Sequence, residues 1–324
     1  MRTYELHASF KQIKRADGRS SVAASAYRSA SRQIDERTGE ISDYTRKAGV
    51  ERSALFAPED APEWALDRSQ LWNAAEQKEN RKNSMVAREL EIGFPAEFNQ
   101  QQRLEAGRAI ALQLVKKHGV AVDVCWHTPG KDGDHRNHHA HILFTGRAIH
   151  AEGWEKKKYR DFNNDMMEVD GVKTTTGKQT VKEWRIDVAD TFNQIARRDG
   201  LDVTTEHRSF EERGLERVPT IKLGFGASQM EKRGIRTERG NLNRRVKAFN
   251  LAVTERIKQT RLAKEIIRGK EKFRQKFAHY KKERALQHEL ELELQRSKER
   301  ERLRQQEWEM ARRRTRRRDR GLER

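Results

Sequence analysis

"VAVDVCWHTPGKDGDHRNHHAHILF", residues 120–144, sets two apolar runs on either side of ten polar, glycine-containing residues. Both runs alternate with the period of two that marks a β-strand with two unlike faces. In the first, Asp123, Cys125 and His127 fall on one face, with Val122, Val124 and Trp126 on the other. In the second, His139, His141 and Leu143 share a face opposite His138, Ala140, Ile142 and Phe144. The decad "TPGKDGDHRN" between them reads as a hairpin loop. Pairing the two strands sets His127 beside His139 and His141, so three neutral imidazoles converge with positions open for substrate oxygens and water. The stretch holds five of the chain's eleven histidines. His135, in the loop, is the next candidate ligand, and His138 is expected to face away. Imidazoles suit zinc, whereas a site that accepts phosphate oxygens could equally use manganese or magnesium.

Working outward, "RTYELHASF" near the N-terminus alternates and is expected to be a strand. "SVAASAYRSASRQ" (Ser21 to Gln33) is alanine-rich, has serines able to cap it, and predicts a helix. "ERTGEISDY" predicts a turn or short hairpin, and "LFAPEDAPEW" a proline-punctuated connection into a helix from about Ala65 to Lys82. "MVARELEIGFP" alternates and closes at Pro95. A helix follows over Asn99 to His118, stopped by Gly119. The segment from "RAIHAEGW" to "TTTGKQ" reads as polar and irregular, and "VKEWRIDVADTFNQIARRDG" as a helix with Trp184, Val188, Phe192 and Ile195 on one face. These elements predict an α+β domain: a central antiparallel β-sheet flanked by helices. No proline follows Pro219, and the chain from about Asn241 favours a long charged helix.

The charge divides at the same place. From Asn241 to Arg324 there are 28 Lys+Arg against 13 Asp+Glu, whereas residues 1–240 hold 41 against 37. A nearly neutral domain of residues 1–240 thus carries a basic helical extension, 241–324, suited to polyanions. One cysteine, Cys125, excludes an internal disulfide. No run approaches the ~18 apolar residues of a membrane span, and no signal peptide is visible, so a cytoplasmic protein without membrane insertion is expected. The absence of a G-x-x-x-x-G-K-[ST] pattern gives no reason to expect an ATPase.

A metal centre of this kind still needs a nucleophile, either bound water or a side chain. Tyr27 sits among small residues and is flanked by Arg28 and Arg32, whose charges favour a phenolate and a nearby phosphate. Tyr44 in "SDYTRK" is a second phenol. Behind the histidines a carboxylate is expected to fix their orientation. Glu89 and Glu91 share one strand face, and Asp123 shares the face of His127.

The ordered set of an N-terminal strand, "AASAYRSASR", "RELEIGFP" and "NHHAHILFTGR" resembles the MobA/MobL-type conjugative relaxases of the HUH endonuclease superfamily. "LFAPEDAPEW" and "EHRSFEERGLERVPTIKLG" are similar to further segments of that family, and the resemblance covers about residues 1–240. It implies an HUH relaxase-like sheet order and a plasmid mobilisation relaxase that nicks one strand at the origin of transfer. Tyr27 would be the nucleophile forming a 5′-phosphotyrosine, and His127, His139 and His141 would hold a divalent metal ion. The family's acidic position falls in "RELEIGFP", with Glu91 favoured over Glu89. Partners implied are single-stranded and duplex plasmid DNA, accessory mobilisation proteins and a type IV coupling protein. His138 stands where the family often has proline, and Lys222 where it commonly has histidine. The alternatives are a rolling-circle replication initiator of the same superfamily, a hydrolase using metal-bound water, and a non-enzymatic basic DNA-binding accessory protein. For DNA contact the candidates are Arg28, Arg32, Lys131 and Arg136, together with "GWEKKKYRDF" (Lys156 to Lys158, Tyr159, Phe162), which mixes cations with aromatic faces.

Overall fold

The alternating segments assemble into one five-stranded antiparallel sheet that carries helices on both faces. The computed structural model describes residues 2–130, 134–163, 165–169, 172–256, 270–285, 287–288 and 292. In chain order the first elements are β1 (Arg2–Glu5), β2 (Ala8–Lys14), α1 (Ser21–Ser29), β3 (Arg32–Asp35), β4 (Glu40–Asp43) and β5 (Val50–Phe56). Then come α2 (Arg68–Lys78), β6 (Met85–Gly93), α3 (Gln100–His118), β7 (Val122–His127) and β8 (His139–Thr145). Short strands β9 (Ile149–His150), β10 (Gly153–Trp154), β11 (Met166–Val169) and β12 (Val172–Thr175) precede α4 (Thr176–Arg198) and β13 (Val203–Glu206). The chain forms two compact units, Met1–His207 and Arg208–Arg324.

The central sheet runs in the order β2-β6-β8-β7-β5. Its register places His127 opposite His139, and His141 between Cys125 on β7 and Glu91 on β6. Directly paired residues point to the same face, so Ser9, Glu89, Glu91, Asp123, Cys125 and the three histidines share one side of the sheet. The opposite side is apolar: Leu90, Ile92, Val122, Val124, Trp126, Ala140, Ile142 and Phe144 pack with Ile110 and Leu114 of α3 and with Trp184 and Phe192 of α4. Near-continuous burial of β7, with every residue from Val122 to His127 buried, is what a central strand covered on both faces requires.

The polar face is covered by α1 and α2. A smaller apolar cluster there includes Val22, Leu71, Trp72 and Leu143. Buried acids complete it. Asp123 accepts hydrogen bonds from Ser25 Oγ of α1 (2.9 Å), Trp72 Nε1 (3.0 Å) and Arg68 Nη2 (2.9 Å) of α2. Glu76 of α2 accepts from the backbone N and Oγ of Ser21 at 2.7 and 2.8 Å. Ser21, Ser25 and Arg28 follow helical spacing toward the sheet, which leaves Tyr27 as the only exposed residue of α1.

Several sequence expectations hold and several shift. Gly119 ends α3 at φ 63°, as its sequence predicted, and Asn99 caps the start in a capping box with Gln102. The helix expected to reach Gln33 stops at Ser29, because Ala30 turns left-handed at φ 52°, the one described non-glycine residue with positive φ. That turn releases the chain into the β3–β4 hairpin. "RTYELHASF" makes two strands: β1 pairs in parallel with β13, and β2 enters the central sheet. The edge strand β5 carries no alternation that would have announced it, and the segment read as irregular contains the β9–β10 and β11–β12 hairpins.

The second unit contains α5 (Phe225–Lys232) and α6 (Glu238–Arg256). Asn243 and Asn250, seven residues apart on α6, each exchange two hydrogen bonds of 2.8 and 2.9 Å with the backbone of Ile221 and Val218 respectively. Residues 270–285 are again helical. The expected boundary after residue 240 falls inside this unit, and "ARRRTRRRDR" (311–320) lies outside the described residues. No helix among the described residues is long and apolar enough to cross a membrane.

α3 approaches β7 at Gly107, where an added Cβ would overlap the indole of Trp126, lying 2.7 Å from its Cε2. The indole is itself held by a 3.0 Å bond from Nε1 to the Arg103 carbonyl. Gly107→Ala is expected to destabilise the first unit by about 1–3 kcal/mol through overpacking, read as a lowered midpoint in urea or thermal unfolding.

Candidate active site

The register built above brings one ligand nitrogen from each of His127, His139 and His141 within 4.8 Å of the others. The ring centroids are 4.8 to 5.3 Å apart. His127 stands at the end of β7 and the other two at the start of β8, so the hairpin itself gathers the rings. Each ring also donates a hydrogen bond outward. His127 Nε2 donates to the Arg28 carbonyl (2.7 Å), His139 Nδ1 to the Asn137 carbonyl (2.9 Å), and His141 Nδ1 to Glu89 Oε1 (2.6 Å). Those acceptors fix the tautomers and leave one lone pair on each ring, the state a metal ligand needs.

The electrostatics favour the same state. Burial pushes the pKa of His127 down to about 3; the Arg28 carbonyl works against this, while His141, Lys47 and His139 add to it. Burial likewise lowers that of His139, against the pull of the Asn137 carbonyl. Such rings are poor proton acceptors and available nitrogen donors.

The acid that meets the triad is Glu89. The sequence reading favoured Glu91, but the carboxylate bonded to His141 belongs to Glu89, fully buried and gripped at both oxygens by Arg28 (Nε–Oε1 2.6 Å, Nη2–Oε2 2.7 Å). Its burial works to raise its pKa, and the bonds from His141 and Arg28 overcome this and hold it well below the usual carboxylate range. Glu91, two residues on, pairs with Lys11 and lies 3.7 Å from His7 Nε2. The nearby His7 ring, then Lys11, depress its pKa despite partial burial. Asp123 serves α1 and α2 and meets none of the histidines.

Tyr27, 49% exposed, precedes the residue whose carbonyl receives His127. Tyr44 meets its ring edge-on, with centroids 5.1 Å apart. The DNA-contact expectations divide. Arg28 is buried in the pair with Glu89 and is not available to DNA; sequence spacing alone does not reveal that the sheet lies beneath it. Arg32 is exposed on β3. Arg136 is exposed but forked onto Asp134 at 2.6 and 2.9 Å, and Lys131 lies outside the described residues. Tyr159 and Phe162 pack in the interior around His118 and Arg88, so they offer no free face for base stacking, and Lys158 pairs with Glu79. His135 is exposed and is not among the histidines whose nitrogens converge, and His138 is half-buried with its Nδ1 unpaired.

Residues 19–233 match the family model of the MobA/MobL family, and the chain belongs to that family. It is 31% identical over 274 residues to the mobilization protein MobL of Acidithiobacillus ferridurans, covering 78% of this chain and 68% of that one. It is also 31% identical over 260 residues to the conjugal transfer protein TraA of Rhizobium radiobacter, covering 72% of this chain and 22% of that one. The chain thus spans about two thirds of the length of the first relative and under a quarter of the second. A solved structure described as the molecular basis of vancomycin resistance transfer in Staphylococcus aureus is similar at a TM-score of 0.55 and 31% identity. It covers 64% of this chain and 100% of that one.

Two outcomes follow from this geometry. Glu89→Ala strands the Arg28 charge in the interior and is expected to cost about 3–5 kcal/mol in unfolding free energy; Glu91→Ala, which frees only part-exposed partners, is expected to cost about 1 kcal/mol or less. For His127 the folded pKa lies below the unfolded value of roughly 6.5, so the unfolded chain takes up the proton first. Its contribution to stability is therefore complete above pH ~6.5 and is lost as pH falls toward about 3. An imidazole 15N titration of the metal-free protein should find the His127 ring neutral at pH 5; a ring already protonated there contradicts the assignment.

Proposed function

We propose that this chain is a plasmid mobilisation relaxase, a metal-assisted DNA nickase and strand transferase whose nucleophile is the Tyr27 phenol. The observation that carries the reading is the convergence of three lone-pair-bearing imidazoles, one of them bonded to the carbonyl of the residue after Tyr27, the one exposed residue of α1, in a member of the MobA/MobL family. A divalent cation held by His127, His139 and His141 would offset the charge that builds on the phosphoryl oxygens, with manganese or magnesium better suited than zinc to an oxygen-rich substrate.

The chain's own residues supply the rest. The Tyr27 oxygen forms a bond to the phosphorus of one DNA phosphodiester as the bond to the 3′ oxygen breaks. The phenolic proton is lost, the released oxygen becomes a 3′-hydroxyl, and the 5′ end stays linked to Tyr27. One ester replaces another, so the step runs backward with little driving force either way and the same site can rejoin the strand. Glu89 holds His141 through Nδ1, and Arg28 holds Glu89, so neither ring nor carboxylate has to reorganise during the reaction. The exposed Arg32 is available to the phosphate backbone of DNA bound at the transfer origin, and the positive charge of residues 241–324 would favour the same polyanion. Accessory mobilisation proteins and a coupling protein would act on the covalent complex.

The test uses labelled single-stranded oligonucleotides tiling the DNA next to the reading frame, incubated with the full chain and Mn2+ and run on a denaturing gel. A protein–DNA adduct is expected, and Tyr27→Phe should abolish it. His139→Ala should reduce metal affinity and cleavage together, and Glu89→Gln should weaken metal binding by about 10- to 100-fold. Cleavage with no adduct would mean that metal-bound water is the nucleophile, and salt-sensitive binding without cleavage would reduce the protein to a DNA-binding accessory factor.

A further inference from the structure

The turn after β4 places a cation on the face of the proposed nucleophile. Lys47 Nζ lies 3.7 Å from the centroid of the Tyr27 ring and donates a 2.7 Å hydrogen bond to the Tyr27 carbonyl. Tyr44 stands perpendicular to the ring, at 89°. The ring therefore has a cation on one face and a second aromatic side chain against it, while its hydroxyl makes no hydrogen bond to the described residues.

This loop is tied at both ends to the site. The Tyr44 backbone N donates to the Ser31 carbonyl (3.1 Å), just beyond α1, and Lys47 N to the Tyr44 carbonyl (2.8 Å). On the far side the Gly49 carbonyl accepts from Thr128 N (2.9 Å), the residue after His127. Residues 44–49 therefore span from the helix that carries the phenol to the strand end that carries the first histidine.

Lys47 is costly to place there unless its contact serves something. It is partly buried, and burial lowers its pKa, with Arg28 adding to the effect and Cys125 opposing it. No carboxylate among the described residues pairs with it, although the described part of this unit settles many of its basic side chains in ion pairs. What it gains is the ring face, the carbonyl of Tyr27 and the negative end of α1. Attraction between an ammonium and an aromatic face grows as negative charge enters the ring, which happens when a phenol gives up its proton in an attack.

We infer that Lys47 is the positioning residue of the Tyr27 nucleophile, holding the ring plane through its face and its own carbonyl so that the hydroxyl keeps one direction. The inference rests on Tyr27 being the nucleophile. It makes Lys47 act on the chemical step and leaves the binding of DNA to other residues.

Lys47→Met and Lys47→Arg test it in the full chain, with the oligonucleotide and Mn2+ assay above. Lys47→Met is expected to slow single-turnover adduct formation by about tenfold, with the dissociation constant for the same oligonucleotide unchanged within twofold. Lys47→Arg, which keeps a cation able to lie on the ring, is expected to recover most of the rate. Lys47→Met at the wild-type rate, with Tyr27→Phe still inactive, overturns the inference and leaves the proposed function standing. Parallel losses of rate and DNA affinity in both variants also overturn it, since the loop would then act on binding. An adduct that persists in Tyr27→Phe removes both the inference and the reading beneath it.

Discussion

One buried ion pair ties α1 to the sheet and to the histidines. Arg28 leaves α1 toward the sheet and meets Glu89 on β6, where both groups are nearly sealed from water. A charge pair taken so far out of solvent repays its desolvation only when each hydrogen-bonding position is filled. Here the third partner is His141, and the Arg28 Nη1 group completes its set on the Ala24 carbonyl. The backbone carbonyl of the same arginine receives His127. One residue therefore reaches two of the three histidines, one through its side chain and a carboxylate, the other through its main chain.

Further polar bonds to the sheet and to α2 add to the apolar contacts of Val22 and Ala24. Ser25 to Asp123 and Ser21 to Glu76 fix its rotation, and rotation decides which side chain faces solvent. With serine, serine and arginine turned inward, Tyr27 has to face out. The small residues on either side of the tyrosine permit close approach of α1 to the sheet, which is a packing reason for a composition that also leaves a phenol accessible. Lys47 and Tyr44 then pack against the exposed ring.

The two faces of the sheet divide labour along the alternation of single strands. Val122, Val124 and Trp126 enter a core shared with α3 and α4, while Asp123, Cys125 and His127 from the same six residues build the polar layer. A rigid apolar slab under the histidines keeps their separation set by strand spacing, so the triad is pre-formed before any ligand arrives. Pre-formed donors reorganise least when charge develops beside them.

Much of this was legible in the chain. The alternation of residues 122–127 and 139–145 determined which side chains share a face, because a strand's period admits no other answer, and it gathered His127, His139 and His141. Gly119 marked the end of α3. The order of "AASAYRSASR", "RELEIGFP" and "NHHAHILFTGR" pointed to the family. What alternation could not supply was distance along the strand: Glu89 and Glu91 are equivalent by period, and only the position of α1 above β6 gives Glu89 to the histidine and Glu91 to Lys11 and His7. The burial of Arg28, the loss of Tyr159 and Phe162 to the core, the edge strand β5 and the seat of Lys47 are likewise decisions of tertiary structure. Each depends on a neighbour remote in sequence, and local residue pattern carries no information about which remote element will arrive.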